Sequence, residues 1–306
     1  YAIFYLWNGK YTENLTVENC TSQYGSIVFY AYSSHSGYNT TATMNDSIII
    51  RNNEFKDFSY QGLYFQGYKN MRILNNKVHH RSTGGTAYPW GIYLSYCDLI
   101  DVVGNDVDLY NGSGQYARGL YLNYCDGSAT NRNLIANNMI SKGVNGSTSS
   151  AHSDNIYYCN YSDVVYNSWY GKMDYNSTSY GMIRVYYGTS VVFSNNSIHN
   201  DGGAGYGVTF TGTHTKNNNN FYNSNPLRLR YPTTGGTGNV SADPGYFSTS
   251  DLHAGGIGIY QKGTPLTIVT DDIDGDTRSA TIPSIGADEF FLPAIDAAPE
   301  EVVYDL

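Results

Sequence analysis

Seven asparagines recur along this chain at near-equivalent places, Asn53, Asn76, Asn105, Asn138, Asn167, Asn196 and Asn220, spaced by 23, 29, 33, 29, 29 and 24 residues. The flanking text repeats with them. "RILNNKV" at 72, "VVGNDV" at 102, "LIANNMI" at 134 and "VFSNNSI" at 192 each set an apolar residue shortly before the Asn and another shortly after it. Self-similarity at a period of about 20 to 50 residues is the signature of a solenoid. The rest of each repeat is as regular: "GLYFQGY" at 62, "GIYLSYC" at 91, "GLYLNYC" at 119, "NIYYCNY" at 155, "GMIRVYYG" at 181 and "GVTFTGT" at 207. Each coil therefore reads as short alternating runs rich in Val, Ile, Tyr and Phe, broken by Gly, Asn and Ser, with no stretch at helical period. A one-way repeat of this kind stacks each strand on its equivalent in the next coil, which predicts an all-β parallel β-helix of about seven to nine coils.

In that reading Ile73, Val102, Ile135, Val164 and Phe193 form one interior stack, and Val78, Val107, Ile140, Trp169 and Ile198 form another. The repeat Asn stands at the bend between them. Asn tolerates left-handed backbone, and its amide can bond to the Asn above and below, satisfying turn backbone that would otherwise be buried unpaired. The Asn series is read as a structural ladder.

With these features the chain resembles the right-handed parallel β-helix proteins of the pectate-lyase-like superfamily over roughly residues 10 to 230. A second resemblance lies in "DDIDGDTRSATIPSIGADEF" (271–290), which looks like the closing segment of secreted bacterial β-helix surface proteins, with its D-x-D-G-x-x-R stretch followed by I-G-A-D-E. The expected organisation is β-helix coils over 1–230, a C-terminal closing or cap segment over 231–290, and an extended tail or linker over 291–306. The chain begins at Tyr1 without Met or a signal-peptide pattern, so a processed or partial chain is expected. The surface-protein likeness implies an extracellular, secreted or cell-surface location.

Composition narrows the partners. A net charge of −9 with only 17 Lys and Arg provides no basic cluster to neutralise phosphates, which argues against nucleic acid. No apolar run of about 18 residues occurs, so no membrane-spanning helix is expected. The 32 tyrosines exceed what a core needs. Alternation in the "GIYLSYC" type of strand puts Ile92, Leu94, Leu120 and Leu122 on one face and Tyr93 and Tyr121 on the other, joined by Tyr64 and Tyr157 in neighbouring coils. Such an outer Tyr row can stack on sugar rings, anchor a protein contact, or simply stabilise the sheet by cross-strand stacking.

Other residues offer weaker signals. Cys97, Cys125 and Cys159 each follow a Tyr at the end of a strand in successive coils, and so form either a disulfide-forming pair with a third thiol or a stack of buried thiols. Cys20 has no obvious partner. The resemblance implies that polysaccharide lyase or hydrolase chemistry should be looked for; the best acid and base candidates are His79, His80 and Asp108 beside the repeat Asn, and none matches the motifs of such enzymes. Asp272, Asp274 and Asp276 around Gly275 have hard oxygen ligands spaced for calcium, but the run belongs to the cap-like motif, which favours a structural turn with Arg278 paired to a carboxylate over calcium. Calcium is the only cofactor suggested, and none is required. Asn111, Asn145 and Asn176 are loop-like glycosylation triplets.

Together these observations predict an extracellular structural or adhesive surface protein, self-associating or binding other surface proteins as a filament or layer subunit through open β-helix edges and the tail. The alternative is a polysaccharide lyase, a glycoside hydrolase or a glycan-binding module that uses the Tyr row.

Overall fold

The computed structural model describes residues 2–6, 12–35, 44–80, 88–109, 117–142, 153–228 and 236–292. Among them the chain is an all-β parallel solenoid built on three sheets of eight, seven and eight strands, each strand pairing in parallel with its equivalents in the coils before and after. The first sheet runs from Ala2–Leu6 through Ile27–Tyr32, Gln61–Gln66, Trp90–Ser95, Arg118–Asn123, Asp154–Tyr157 and Gly181–Tyr186 to Tyr206–Thr211. The second sheet begins at Glu13–Glu18 and ends at Val191–Ser194; the third begins at Thr21–Gln23 and ends at Asn220–Tyr222. About six turns make the solenoid, slightly fewer than the expected seven to nine coils.

The interior follows the alternation. Ile73, Val102, Ile135, Val164 and Phe193 are in register down the second sheet, and Val78, Val107, Ile140, Trp169 and Ile198 down the third. All ten are buried. Burying a side chain of this size contributes about 1.5–3 kcal/mol relative to leaving it exposed, so these stacks are what the winding gains.

The corner between the second and third sheets is closed by amides. Each ladder Asn accepts, on its Oδ1, the backbone N–H and the side-chain Nδ2–H of its equivalent in the coil before: Asn105 donates both to Asn138 at 3.0 and 2.9 Å, and Asn138 donates both to Asn167 at 3.0 and 2.8 Å. The same Nδ2 also donates to the carbonyl of an interior residue one coil back, as Asn138 does to Val102 at 2.8 Å. Two details differ from the sequence reading. The rung after Asn196 is Asn219, not Asn220, and Asn239 follows it; Asn220 instead opens the last strand of the third sheet, opposite Ser197. The left-handed residue is the one before each ladder Asn: Asn52, Asn75, Gly104, Asn137, Tyr166, Asn195 and Asn218 all have positive φ. The ladder Asn itself is spent on hydrogen bonds, and its predecessor makes the bend.

The C-terminal segment does not simply close the end. Its beginning continues the coil, with Val240 bridging Asn220 in parallel, and the chain then lies along the flank over the same corner. Tyr166 Oη donates to Thr264 O at 2.6 Å, Asn137 Nδ2 to Asp271 O at 2.7 Å, and Ser168 Oγ accepts the Ala287 N–H at 3.0 Å. Val269 packs with Ala136, Val165 and Tyr166, and Leu252 and Ala287 with Met139 and Tyr170. The left-handed bends leave backbone and amide groups facing outward, and this segment supplies partners for them. Residues 291 and 292 are described; the remainder of the expected tail lies outside the described residues, so its pairing with another copy is not addressed by the fold.

Candidate functional site

The outer face of the first sheet carries stacked rings. Tyr5, Tyr30, Tyr64, Tyr93 and Tyr121 occupy one column in register. Successive centroids are 5.4, 4.7, 4.8 and 4.9 Å apart with interplanar angles of 3–11°. Trp90 stacks on Tyr93 at 4.8 Å, and the Arg118 guanidinium lies over both Trp90 and Tyr121, 4.7 and 4.8 Å from their centroids. Rings this close and this parallel occupy each other's faces, so the column turns ring edges and hydroxyls outward. Burial, followed by the neighbouring phenols, pushes the Tyr93 hydroxyl up to about 12 and raises Tyr64 further. Tyr64 and Tyr93, at the centre of the column, are thereby held as neutral phenols at physiological pH.

Tyr157 does not belong to this column. Asn155 is the residue opposite Tyr121, and Tyr157 stands opposite Asn123 and Tyr186. It stacks on Tyr186 at 5.0 Å and 4°. Counting back from the bend cysteine finds this register, because Cys125 and Cys159 are equivalent, whereas matching the glycine-led strand text shifts it by two residues. A further row missed in the sequence sits on the bend between the first and second sheets. There Tyr96, Tyr124, Tyr158 and Tyr187 all take left-handed backbone; the first three rings stack at 5.1–5.2 Å, and Tyr187 lies 5.1 Å from Tyr158 tilted by 32°. The signal was the Tyr-Cys pair that ends three of these strands.

Charge separates this face from the others. The eight strands of the first sheet hold a single acidic residue, Asp154, which points inward and is buried, together with Arg118 and Arg184. The Arg184 guanidinium sits 3.8 Å from the Tyr186 centroid and 4.5 Å from that of Tyr180. Among the described residues the other acids of this −9 chain lie on the other sheets, the bends and the C-terminal segment.

The acid and base candidates do not form one cluster. His80 points inward, is buried, and donates from Nε2 to Ser59 O at 3.2 Å with its ring edge-on to Phe58. His79 and Asp108 are cross-strand neighbours on the third sheet, but His79 Nε2 meets Asp106 Oδ2 at 2.9 Å. Burial pulls the His79 imidazole down, and the Asp106 carboxylate outweighs it, holding the group above its ordinary value. Beside this pair an open groove of about 400 Å³ runs between the third sheet and the C-terminal segment, lined by Lys77, Asp106, Met139, Asp251, His253 and Asp274 among others. His253 bridges two turns there, Nδ1 2.5 Å from Asp251 Oδ1 and Nε2 2.8 Å from Asp274 Oδ2.

The acidic run forms a turn. Asp272 Oδ1 accepts the N–H groups of Asp274 and Asp276 at 2.9 and 2.8 Å, and its Oδ2 accepts that of Glu289 at 2.9 Å. The carboxylates that converge are Asp272, Asp274 and Asp288, within 4.8 Å of one another, so Asp288 replaces Asp276 among the residues that could hold a cation. Arg278 approaches Glu289 at 3.5 Å, donates to Asn137 Oδ1 and to the Gly286 and Ala287 carbonyls at 2.9–3.0 Å, and stacks on Tyr166. It fastens the segment to the solenoid.

Cys97, Cys125 and Cys159 are buried free thiols behind the Tyr bend, and Cys20 is free and partly buried. Cys97 Sγ donates to Ser95 O at 3.4 Å, and Cys125 Sγ to Leu94 O at 3.6 Å. Asn176 is exposed just before the Ser177–Tyr180 bridge; Asn111 and Asn145 lie outside the described residues. No helix among the described residues is long and apolar enough to cross a membrane. No protein-family model matches this chain, and no curated protein sequence matches it.

Proposed function

We propose that this chain is a non-catalytic structural or adhesive module of an extracellular surface, of the pectate-lyase-like β-helix type, meeting a protein partner through the outer face of its first sheet. The three-sheet cross-section with an amide ladder at one tight corner supports the type. The observation that carries the function is the Tyr5–Tyr30–Tyr64–Tyr93–Tyr121 column, whose ring faces are taken by one another. Stacking on sugars needs a free ring face; ring edges and hydroxyls on a flat sheet suit the mixed apolar and polar character of a protein interface. A second copy fits by charge, since the acid-free face with Arg118 and Arg184 is complementary to the acid-bearing remainder of the same chain.

Sedimentation velocity and electron microscopy of the full chain test this. Concentration-dependent association into filaments or layers, lost in a Tyr64→Ser/Tyr121→Ser variant and kept in an Arg72→Ser variant on the second sheet, is expected. A chain that stays monomeric at high concentration, or equal loss in both variants, contradicts it.

The flank groove favours a second reading as a carbohydrate-active protein, because it gathers Asp106, Asp251, Asp274, His253 and Lys77 around one opening. Release of reducing or unsaturated ends from a polysaccharide panel, abolished by Asp106→Asn, would support that reading. A calcium ion at Asp272, Asp274 and Asp288 would serve either role by stiffening the segment.

A further inference from the structure

Two inward positions of one coil depart from the apolar interior together. Lys142 ends the strand Met139–Lys142, opposite Leu109 in the preceding coil. Asp154 opens the strand Asp154–Tyr157, opposite Ile183 in the following coil. Their residues are 5% and 1% exposed. The two side chains meet, with Lys142 Nζ 3.2 Å from Asp154 Oδ1.

The carboxyl is held on all sides. Oδ1 accepts the Gly119 N–H at 2.7 Å, Oδ2 accepts the Trp169 Nε1–H at 3.1 Å, and Nζ donates to Met182 O at 3.1 Å. Gly119 is required by this packing: a Cβ there would collide with Ile140 and come within 3.3 Å of Asp154 Oδ2. Trp169 and Met182 enclose the pair in apolar surface.

An ion pair shut away from water loses the hydration of both charges. Burial pulls the Lys142 amine down and pushes the Asp154 carboxyl up, with each group's charge opposing the other's shift. Transfer of one proton along the 3.2 Å hydrogen bond gives a neutral amine beside a neutral carboxylic acid. That amine is a nucleophile fixed against its electrophile, and the Gly119 and Trp169 N–H groups are placed to stabilise negative charge on the carboxyl oxygens during addition.

We propose that Lys142 and Asp154 condense to an intramolecular isopeptide bond. The Nζ lone pair forms the new bond to Asp154 Cγ, the Cγ–OH bond breaks, and the departing hydroxyl takes one Nζ proton and leaves as water. Nothing is oxidised or reduced. The product is an uncharged amide whose N–H can still face Met182 O and whose carbonyl, the former Oδ2, keeps the Trp169 Nε1–H, while the hydroxyl formed on Oδ1 is the group lost. It fastens the third sheet to the first covalently across the connection between residues 142 and 154.

The intact mass and tryptic map of the purified full chain test this. The expected chain is lighter than its sequence by one water molecule. Trypsin then fails to cut after Lys142, so that residues 133–172, bounded by Arg132 and Lys172, appear as one peptide lacking one water. Lys142→Arg, which keeps the charge but cannot form this amide readily, is expected at full mass with the same β-sheet circular dichroism. A full-mass native chain cut cleanly after Lys142 overturns the proposal. So does a water loss that maps to an Asp-Gly step such as Asp126–Gly127.

Discussion

The molecule stacks one residue type over consecutive coils in two places, and the two ladders do opposite work. At the corner between the second and third sheets the asparagines are buried, and each amide is consumed by the coil before, the coil after and an interior carbonyl. On the first sheet the tyrosines are half-buried, their faces satisfied by each other and their edges turned outward. Repetition at strand spacing can thus close a backbone or build a surface. What decides is whether the repeated group's polar atoms are needed inside.

Alkali separates the ladders most strongly. A phenol whose folded pKa is raised contributes stability that is complete below its ordinary value near 10 and is lost as the pH rises through the folded value. Tyr64, Tyr68, Tyr93, Tyr166 and Tyr246 are all raised, Tyr93 to about 12. Unfolding should therefore set in above about pH 10, with ring ionisation and loss of β-sheet circular dichroism rising together. Ionisation completed on an intact fold would show that the column is not structural.

Asn138→Ala breaks the other ladder. It strands the Asn105 donors, the Asn167 acceptor and the Val102 carbonyl, at a cost of about 3–5 kcal/mol in denaturant unfolding. A loss under about 1 kcal/mol would mean that water or a shifted bend replaces the amide. Tyr93→Ala removes stacking on Tyr64, Tyr121 and Trp90 and the Tyr93 hydrogen bond to the buried Ser95 hydroxyl, which still accepts from Asn123 Nδ2. Its cost should be about 2 kcal/mol, with a clear loss of association, and the reverse ranking of the two variants would undo the comparison.

The smallest effect concerns the flank. Burial lowers the His253 imidazole, but Asp251 and Asp274 raise it overall, so its contribution is complete below the ordinary histidine value and fades as the pH rises through the folded one. His253→Ala should cost about 1 kcal/mol near pH 5.5 and little near pH 9, after allowance for exposure. Equal cost at both values, read by thermal melts, would assign His253 a packing role only.

Much of this was legible in the sequence, because a solenoid writes its core as a repeat. The interior stacks and the winding follow from the apolar residues around each Asn. The register failed where that text is degenerate. In "KNNNNFY" four asparagines compete, and only Phe221, the partner of Ile198, selects Asn219 over Asn220. In "DNIYYC" the inward Asp154 disguises the strand's start, so the strand text aligns Tyr157 with Tyr121 instead of Asn123, and nothing in it marks the contact with Lys142. The flank packing of 243–290 was not readable, because it depends on which bend groups face outward rather than on any periodicity.

Hydroxyl-radical footprinting of the full chain, compared between dilute and assembled states, tests the central claim most directly. The account predicts protection of Tyr64, Tyr93 and Tyr121 on assembly, with His79, Met139 and His253 around the flank groove unchanged. Protection at the groove with the tyrosine column still open to oxidation would contradict it.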